Sequence, residues 1–415
     1  MEANHIEGYD CIDDNLRIVL KDNQIDIRRI FNKLWYFRFN KNLDSIGKGL
    51  MCTNDNKYEE LKECFNINYE IYENKNRNKS VVLKNFGKSK SIEQSQIDEI
   101  IRTKCNSENI IVLEVNTFDY EYDKGFQKYI GTHSCVITEI NKETAQIIDV
   151  WYKLYNKEIE YKKLLKAITR IIVLDISNIK EKELKNNELS EALLDEKSIN
   201  EMKEFFSSLD EIDLKQEYLG LDFEMVFKAP IDKGLRKVIM NRQRFAYYLY
   251  YISEITKNNK IRELAEYIFI ISMEWTKLRS ILVQTYFLKK VLNKKTINDI
   301  TQSIIEKELK IREVCGYYAL DIPFADGSVN TIYFNSKRNA ETVKHIIEVD
   351  DSKPNNATVC EMEEIKHGSW KYDSEGVGYA NYLCSECKNF LTFYEDIDLY
   401  PYCPYCGVKM DKEWK

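Results

Sequence analysis

Histidine is scarce in this chain of 415 residues. Four histidines are present, and His133 is the only one between His5 and His345. A mechanism that needs an imidazole base therefore has few candidates. The chain also lacks an apolar run of about eighteen residues, which argues against a membrane-spanning helix, and its first residues lack a basic and hydrophobic leader. These absences predict a cytoplasmic protein.

Net positive charge is absent as well. The formal net charge is −7, which argues against non-specific binding to nucleic acid because such binding needs a cationic surface. Eleven cysteines without a secretion signal indicate free thiols and metal ligands rather than a disulfide framework. The length predicts two or three domains, and a hydrophobic share of 44% is typical of a soluble globular protein.

A predicted hairpin carries His133 close to an aspartate. Two apolar runs, 134–140 and 145–151, flank the polar turn 141–144, and this pattern predicts two neighbouring antiparallel strands. His133 precedes the first strand, and Asp149 lies on the second.

A cysteine opens a predicted helix far upstream of this hairpin. Asp10 is a candidate N-cap, which places Cys11 in the first helical turn. The apolar face of this helix consists of Ile12, Leu16, Val19 and Leu20. A thiol at a helix N-terminus, with histidine and aspartate on sheet strands, is the layout of a papain-like cysteine nucleophile. The alternative is a buried cysteine, a surface histidine and an unrelated aspartate.

Several short motifs resemble the N-terminal family of butirosin biosynthesis protein H, in particular its members associated with nonribosomal peptide synthetase clusters. The residues that carry this resemblance are Gly8-Tyr-Asp-Cys11 through Leu16, Ile30-Phe31, Leu34-Trp35-Tyr36-Phe37-Arg38-Phe39, Ile46-Gly47, Tyr58-Glu-Glu-Leu61, His133, and Asp149-Val-Trp-Tyr152. The resemblance covers residues 1–176, and more faintly the helices to about 320.

The resemblance implies a fold similar to papain-like and peptidase C39-like thiol enzymes. It implies acyl transfer from a carrier-protein thioester to an amine, with Cys11 as nucleophile, His133 as base and Asp149 orienting the imidazole. Trp35 and Trp151 then become candidate substrate contacts.

The sequence departs from the family pattern at three points. Val150 replaces the usual proline after the aspartate. His5 occupies the offset, six residues before the cysteine, where these enzymes carry an oxyanion-hole glutamine, so the second oxyanion donor is not identified. Three carboxylates near the thiol oppose thiolate formation, those of Asp10, Asp13 and Asp14. We expect the helix N-terminus and the imidazole to outweigh them.

The order of predicted elements is α+β: a helix first, then a mostly antiparallel sheet. Expected helices lie near 11–20, 57–64, 92–104 and 160–169, and expected strands near 34–39, 67–72, 110–118, 133–140, 145–151 and 171–176. The expected domains are a papain-like catalytic domain at 1–177, a linker at 178–198, an all-α region at 199–320, a linker with a small hairpin near 328–334 at 321–366, and a zinc ribbon at 367–415.

Two arginines of the all-α region lie in segments that resemble motifs in the helical half of the same family. Arg242 and Arg279 are candidate contacts for the phosphopantetheine of a carrier protein or for an acidic group. The favoured interpretation is a helical bundle in which both form ordinary salt bridges.

Four cysteines near the C-terminus have metal-ligand spacing. The pairs Cys384-x2-Cys387 and Cys403-x2-Cys406 are separated by residues 388–402, and this spacing predicts a closed tetrahedral thiolate site. Zn²⁺ in a structural role is the expected ion, and iron with four thiolates suits the same spacing. A unit of this size with few aliphatic residues needs such a staple to fold.

Three functions fit the sequence. The first is a cysteine acyltransferase that forms an amide from a carrier-protein thioester and a small amine acceptor in thiotemplated natural-product biosynthesis. The second is a cysteine peptidase or amidase with the same triad, and the third is a non-catalytic docking scaffold. No nucleic acid or membrane is expected as a partner, and the sequence does not define the oligomeric state.

Overall fold

The chain divides into two compact units in the computed structural model. The first comprises residues 1–30 and 54–183, and the second comprises residues 31–53 and 184–415. The structure describes residues 4–50, 56–75, 89–183, 196–317, 321–323, 329–331, 367–368, 370–376, 379–388, 390–394 and 409–410.

The first unit combines helices of seven to nine residues with a sheet of seven strands. Its helices are α1 (Cys11–Val19), α3 (Lys57–Phe65), α4 (Ile97–Lys104) and α5 (Tyr161–Ala167); α2 belongs to the second unit. Its strands are β1 (Asn68–Asn74), β2 (Lys90–Ile92), β3 (Asn109–Asn116), β4 (Thr132–Ile140), β5 (Thr144–Asp149), β6 (Leu154–Glu160) and β7 (Ile168–Asp175).

The sheet has the strand order β2-β1-β7-β3-β4-β5-β6. Strands β3 to β6 form an antiparallel meander, and β7 returns to pair with β3 and β1. Only the short pair β1–β2 is parallel. The predicted α+β class is therefore confirmed.

The central strands are buried on both faces. In β3 the six residues from Ile110 to Val115 are all buried, as a strand covered on two sides requires. On one face, Ile97 and Ile101 of α4 and Leu164 of α5 form a core with the sheet. Helix α1 packs against β4 and β5, so its first residue lies beside the strands that carry the predicted base and carboxylate.

Two strands of this sheet were not expected from the sequence. Strand β6 is an edge strand whose middle residues are exposed, so it lacks the apolar signal of a buried strand. Strand β2 has only three residues, which is too short for a periodic pattern.

Within residues 32–50 and 196–317 of the second unit, every regular element is a helix. Its helices are α2 (Ile46–Leu50), α6 (Glu196–Ser208), α7 (Leu214–Tyr218), α8 (Pro230–Thr256), α9 (Asn259–Phe287) and α10 (Lys294–Tyr317). The predicted change to long helices after residue 199 is confirmed. Helices α8 and α9 pack together along their length, with Trp275 and Phe245 fully buried.

The prediction of an aromatic strand at 34–39 is wrong. Residues 36–40 have no regular secondary structure, and the amides there find side-chain partners instead of a strand. Phe37 donates its amide to the hydroxyl of Ser198 at 3.3 Å, and Phe39 donates to the carboxylate of Glu201 at 2.8 Å. The aromatic side chains fill the helical core, where the Phe37 ring stacks on Trp275. The alternating aromatic residues therefore reflect burial among helices, not a β-strand.

The remaining described segments are short strands of the second unit. Strands β8 (Asp321–Pro323) and β9 (Val329–Thr331) form a hairpin, slightly earlier than the one expected near 328–334. The others are β10 (His367–Gly368), β11 (Trp370–Gly376), β12 (Tyr379–Cys384), β13 (Phe390–Tyr394) and β14 (Lys409–Met410). Residues 184–195 of the expected linker lie outside the described residues. Across the described helices, none combines the length and apolarity that crossing a membrane requires.

Candidate active site

The N-terminus of α1 is closed by a capping box around Cys11. The carboxylate of Asp10 accepts the amides of Ile12 and Asp13, both at 3.0 Å, and the Asp13 carboxylate accepts the amide of Asp10. The Asp14 amide bonds to the Asp10 carbonyl. The Cys11 amide has no acceptor in the part of the chain that the structure describes. One donor of the first turn is therefore left pointing out of the helix beside the thiol.

The carboxylates around Cys11 are paired with cations. Lys57, the first residue of α3, lies 2.5 Å from both Asp10 and Asp13. Asp14 contacts the imidazole of His5 and, at 3.4 Å, the guanidinium of Arg17. Paired carboxylates repel a nearby thiolate less than isolated ones. The opposition to thiolate formation that the sequence suggested is therefore largely compensated.

His133 and Asp149 meet because of the antiparallel pairing of β4 and β5. His133 is the second residue of β4 and Asp149 is the last of β5, so the start of one strand lies beside the end of the other. Their side chains join through His133 Nε2 and Asp149 Oδ2 at 2.8 Å. Asp149 is fully buried, and it also accepts the Tyr120 hydroxyl at 2.9 Å and the Tyr152 amide at 3.4 Å.

The imidazole of His133 also contacts the thiol. Burial alone would lower the pKa of His133, but the charges of Asp149 and Cys11 and their hydrogen bonds raise it well above its usual value. Since Asp149 occupies Nε2, the ring nitrogen available to Cys11 is Nδ1. The structure thus brings together all three residues that the sequence singled out as a triad.

Asn15 links the thiol helix to both strands, and the sequence reasoning missed it. It is fully buried one turn after Cys11. Its Nδ2 donates to the Ser134 carbonyl and its Oδ1 accepts the Val150 amide, each at 3.0 Å. These backbone groups directly follow His133 and Asp149 in the chain. Asn15 lies four residues after Cys11 and hence on the same face of α1, and this spacing is the signal that could have identified it.

Aromatic rings enclose the imidazole. The Tyr152 ring centroid lies 4.9 Å from that of His133, and the Tyr120 centroid lies 5.8 Å away. The Tyr152 hydroxyl is fixed by Asp123 at 2.7 Å. These rings limit the access of water to the histidine, of which only 6% is exposed.

Cys135, on the same strand face as His133, is a different kind of thiol. It is fully buried, and burial followed by the charge of Asp149 raises its pKa well above the usual range. Cys11 is half-buried and lies at a helix N-terminus. The environment of Cys11 alone suits a nucleophile.

The four predicted substrate contacts lie in two places. Trp151 belongs to the first unit, where its ring lies 4.3 Å from that of His5. In the second unit, Trp35 and Arg242 are both fully buried, with the guanidinium 4.3 Å from the Trp35 ring centroid. Neither presents surface to a ligand in this structure.

Both arginines of the helical motifs form ion pairs within the second unit. Arg242 pairs with Glu308 at 2.8 Å, and the same carboxylate oxygen accepts the Trp275 ring nitrogen. Arg279 pairs with Asp232 at 2.8 Å. These are the salt bridges that the helical-bundle interpretation expects.

Half of the predicted metal site is described. Cys384 is the last residue of β12 and Cys387 lies on the turn that follows, where the Glu386 amide donates to Cys384 Sγ at 3.4 Å. Amides directed at sulfur are typical of thiolate ligands. Cys403 and Cys406 lie outside the described residues, and within the described ranges no group of three or more possible ligands occurs.

No protein-family model matches the chain. A search of curated proteins likewise found no match. The site is therefore interpreted from its own geometry.

Proposed function

We propose that the first unit is a papain-like cysteine acyltransferase that forms an amide from a carrier-protein thioester and an amine. The observation that supports it is the contact between Cys11, at the N-terminus of α1, and the buried His133–Asp149 pair. A scaffold has no need of a half-buried thiol placed against an oriented imidazole.

The first half-reaction follows from this arrangement. The raised pKa of His133 favours a thiolate–imidazolium pair. Cys11 Sγ attacks the carbonyl carbon of the thioester, and its amide, which the cap leaves available, stabilises the oxyanion. When the carbon–sulfur bond of the donor breaks, His133 returns its proton to the departing phosphopantetheine sulfur.

The second half-reaction decides between transfer and hydrolysis. An amine or a water molecule attacks the acyl carbon on Cys11 and gives a proton to His133, which the first half-reaction left neutral. The carbon–sulfur bond then breaks, and Cys11 departs as the thiolate beside the restored imidazolium. The aromatic enclosure of His133 favours aminolysis because it restricts water. A peptidase or amidase would use the same three residues in a wetter site.

The C-terminal segment is proposed to be a zinc ribbon with four cysteine ligands. The tight turn between Cys384 and Cys387, with an amide directed at the sulfur of Cys384, supports this assignment. Four thiolates would close the shell and leave no position for a substrate, so the ion would be structural.

Intact mass spectrometry tests the acyl-transfer proposal. The full chain is incubated with a simple acyl thioester, with and without a small primary amine. We expect an acyl adduct on Cys11 that the amine converts to an amide product. Cys135→Ala is the matched control and should retain the adduct, whereas Cys11→Ala should lose it. Free acid as the main product in the presence of amine would indicate a hydrolase, and no adduct would contradict both enzymes.

A further inference from the structure

The buried carboxylate of Asp149 shares one oxygen between two donors. Its Oδ2 accepts from His133 Nε2 at 2.8 Å and from the Tyr120 hydroxyl at 2.9 Å. Its Oδ1 accepts the Tyr152 amide over the longer distance of 3.4 Å. A hydrogen bond to a carboxylate stabilises its negative charge. The oxygen that binds the imidazole is therefore the one whose charge Tyr120 stabilises.

The loop between β3 and β4 holds Tyr120 in this position. The Thr117 amide donates to the Gly131 carbonyl at 3.1 Å and closes the base of the loop, and the Asp123 amide donates to the Tyr120 carbonyl at 3.0 Å. The Tyr120 ring lies at 28° to the imidazole plane of His133. Only 2% of Tyr120 is exposed, so its hydroxyl is withdrawn from bulk water.

The hydrogen of the Tyr120 hydroxyl points at the carboxylate. A hydroxyl has one hydrogen to donate, and an ionised carboxylate can only accept. Burial, followed by the charges of Cys135 and Asp149, raises the pKa of Tyr120 well above its usual value, so Tyr120 keeps this hydrogen. The buried thiol of Cys135 contacts the same hydroxyl, and the hydrogen in that contact is its own. A chain of donors thus runs from Cys135 through Tyr120 to Asp149.

This hydrogen bond limits how strongly Asp149 holds the imidazolium. When His133 is neutral, the buried carboxylate has no cation to balance it, and Tyr120 stabilises that state more than the state in which the imidazolium already balances the charge. The proposed acyl transfer passes through both states, because His133 returns a proton to the donor sulfur and later takes one from the amine. An imidazole that held its proton too strongly would slow the first of these steps.

Other titratable groups also face the His133–Asp149 pair. Among the described residues they are Cys11 of α1, Cys135 of β4, Tyr120 of the loop between β3 and β4, and Tyr152 of the turn after β5. The charge of Cys11, like that of Asp149, raises the pKa of His133. The Tyr152 hydroxyl donates to Asp123 at 2.7 Å. Within the described ranges, Tyr120 is thus the residue that places a hydroxyl on Asp149.

We propose that Tyr120 is a positioning residue of the acyl transfer: its hydroxyl fixes Asp149 and moderates the hold of this carboxylate on the His133 proton. This inference rests on the proposed function. Tyr120 acts through Asp149, so its effect falls on proton transfer and not on substrate binding. Loss of the hydroxyl should therefore change the pH dependence of His133 and leave KM for a small thioester unchanged.

Proton NMR titration of the full chain tests this coupling directly. The chain has four histidines, and the signal lost in His133→Gln identifies His133. For Tyr120→Phe we expect the His133 midpoint to rise by about 1 pH unit, the scale of one hydrogen bond to a charged group. The alkaline limb of Cys11 acylation by a simple thioester should rise with it. Tyr122→Phe is the matched control, because it removes the same hydroxyl from the ring that packs edge-on against Tyr120, and it should move neither.

Cys135→Ala provides a second measurement if Tyr120→Phe does not fold. It removes the donor to the Tyr120 oxygen and should raise the His133 midpoint by a smaller amount. An unchanged or lowered midpoint in whichever of the two variants folds would overturn the inference, and so would an equal rise in Tyr122→Phe. If the wild type forms no Cys11 adduct, the proposed acyl transfer fails and the role of Tyr120 in it fails too, even where the midpoint rises as expected.

Discussion

Asn15 and Val150 are joined by a hydrogen bond of 3.0 Å between the side-chain oxygen and the backbone amide. The other end of the same side chain holds the Ser134 carbonyl. One amide group therefore sets the position of the helix bearing Cys11 relative to both strands of the His133–Asp149 pair. The geometry of the proposed triad therefore depends on a residue outside it.

Two replacements of Asn15 should separate its effect on the position of Cys11 from its effect on the stability of the fold. Asn15→Ala should cost about 1–3 kcal/mol for each buried backbone group that it leaves without a partner. Asn15→Asp keeps an acceptor for Val150 but turns a carboxylate oxygen toward the Ser134 carbonyl. We expect the aspartate variant to remain folded in urea titrations while the alkylation rate of Cys11 falls. Wild-type alkylation in a folded Asn15→Asp would show that the link does not align the thiol.

Cys11 should be the most readily alkylated thiol among the described residues. It combines a helix N-terminus with a hydrogen-bonded imidazole. Cys135 is fully buried, and Cys105 is half-buried with a pKa raised by burial. Iodoacetamide labelling at neutral pH with peptide mapping measures the order of modification. Faster labelling of Cys105 would contradict the assignment of Cys11 as nucleophile.

Removing the His133 imidazole should reduce turnover nearly as much as removing the Cys11 thiol. His133→Ala should reduce turnover roughly 10³-fold or more, because a nucleophile and its base act as one unit. Asp149→Asn should reduce turnover less, since an amide oxygen can still accept from His133 Nε2. Steady-state kinetics of these variants and of Cys11→Ala provide the comparison. Near-normal turnover in His133→Ala would rule out the triad.

The His133–Asp149 pair should make stability depend on pH. The folded pKa of His133 is raised above its value of 6.5 in the unfolded chain. The folded state therefore holds the proton more tightly, and this contribution is complete below about pH 6.5 and is lost as pH rises through the folded pKa. Urea unfolding of wild type and His133→Gln should show a difference in free energy that shrinks toward alkaline pH. A difference that grows would contradict the sign of the shift.

The four-cysteine site should be structural. Cys384→Ser should release about one metal ion per chain and leave turnover of a small thioester intact, because four thiolates close the coordination shell. Elemental analysis by plasma mass spectrometry also distinguishes zinc from iron. Loss of small-substrate turnover together with the metal would show that this segment contributes to the active site.

The His133–Asp149 hairpin could be predicted because it is local. A polar turn between two apolar runs fixes the pairing of adjacent strands, and β4 and β5 lie within a residue or two of the expected bounds. The start of α1 at Cys11 could also be predicted, because Asp10 is a strong N-cap. These are short-range signals, and they identify the three residues of the proposed triad.

The long-range contacts could not be predicted. Asn15 reaches backbone atoms of residues 119 and 135 positions away, and no local pattern encodes that distance. The glycine of the Ile46-Gly47 motif is likewise explained by a contact with a residue far away in the sequence. A Cβ at Gly47 would lie only 2.0 Å from the backbone nitrogen of Ile231, at the start of α8, so the glycine is required by close packing between helices.

The order of α1, β4 and β5 along the chain has a consequence for the newly made protein. Cys11 leaves the ribosome long before β4 and β5 are synthesised, so the thiol is exposed at first without its base. His133 and Asp149 then close a short hairpin, which costs little loop entropy, whereas docking of α1 spans more than a hundred residues and costs more. We therefore expect the imidazole–carboxylate pair to assemble first and the thiol to join it late. The Cys11 thiol of the nascent chain should therefore stay unactivated until α1 docks on the sheet.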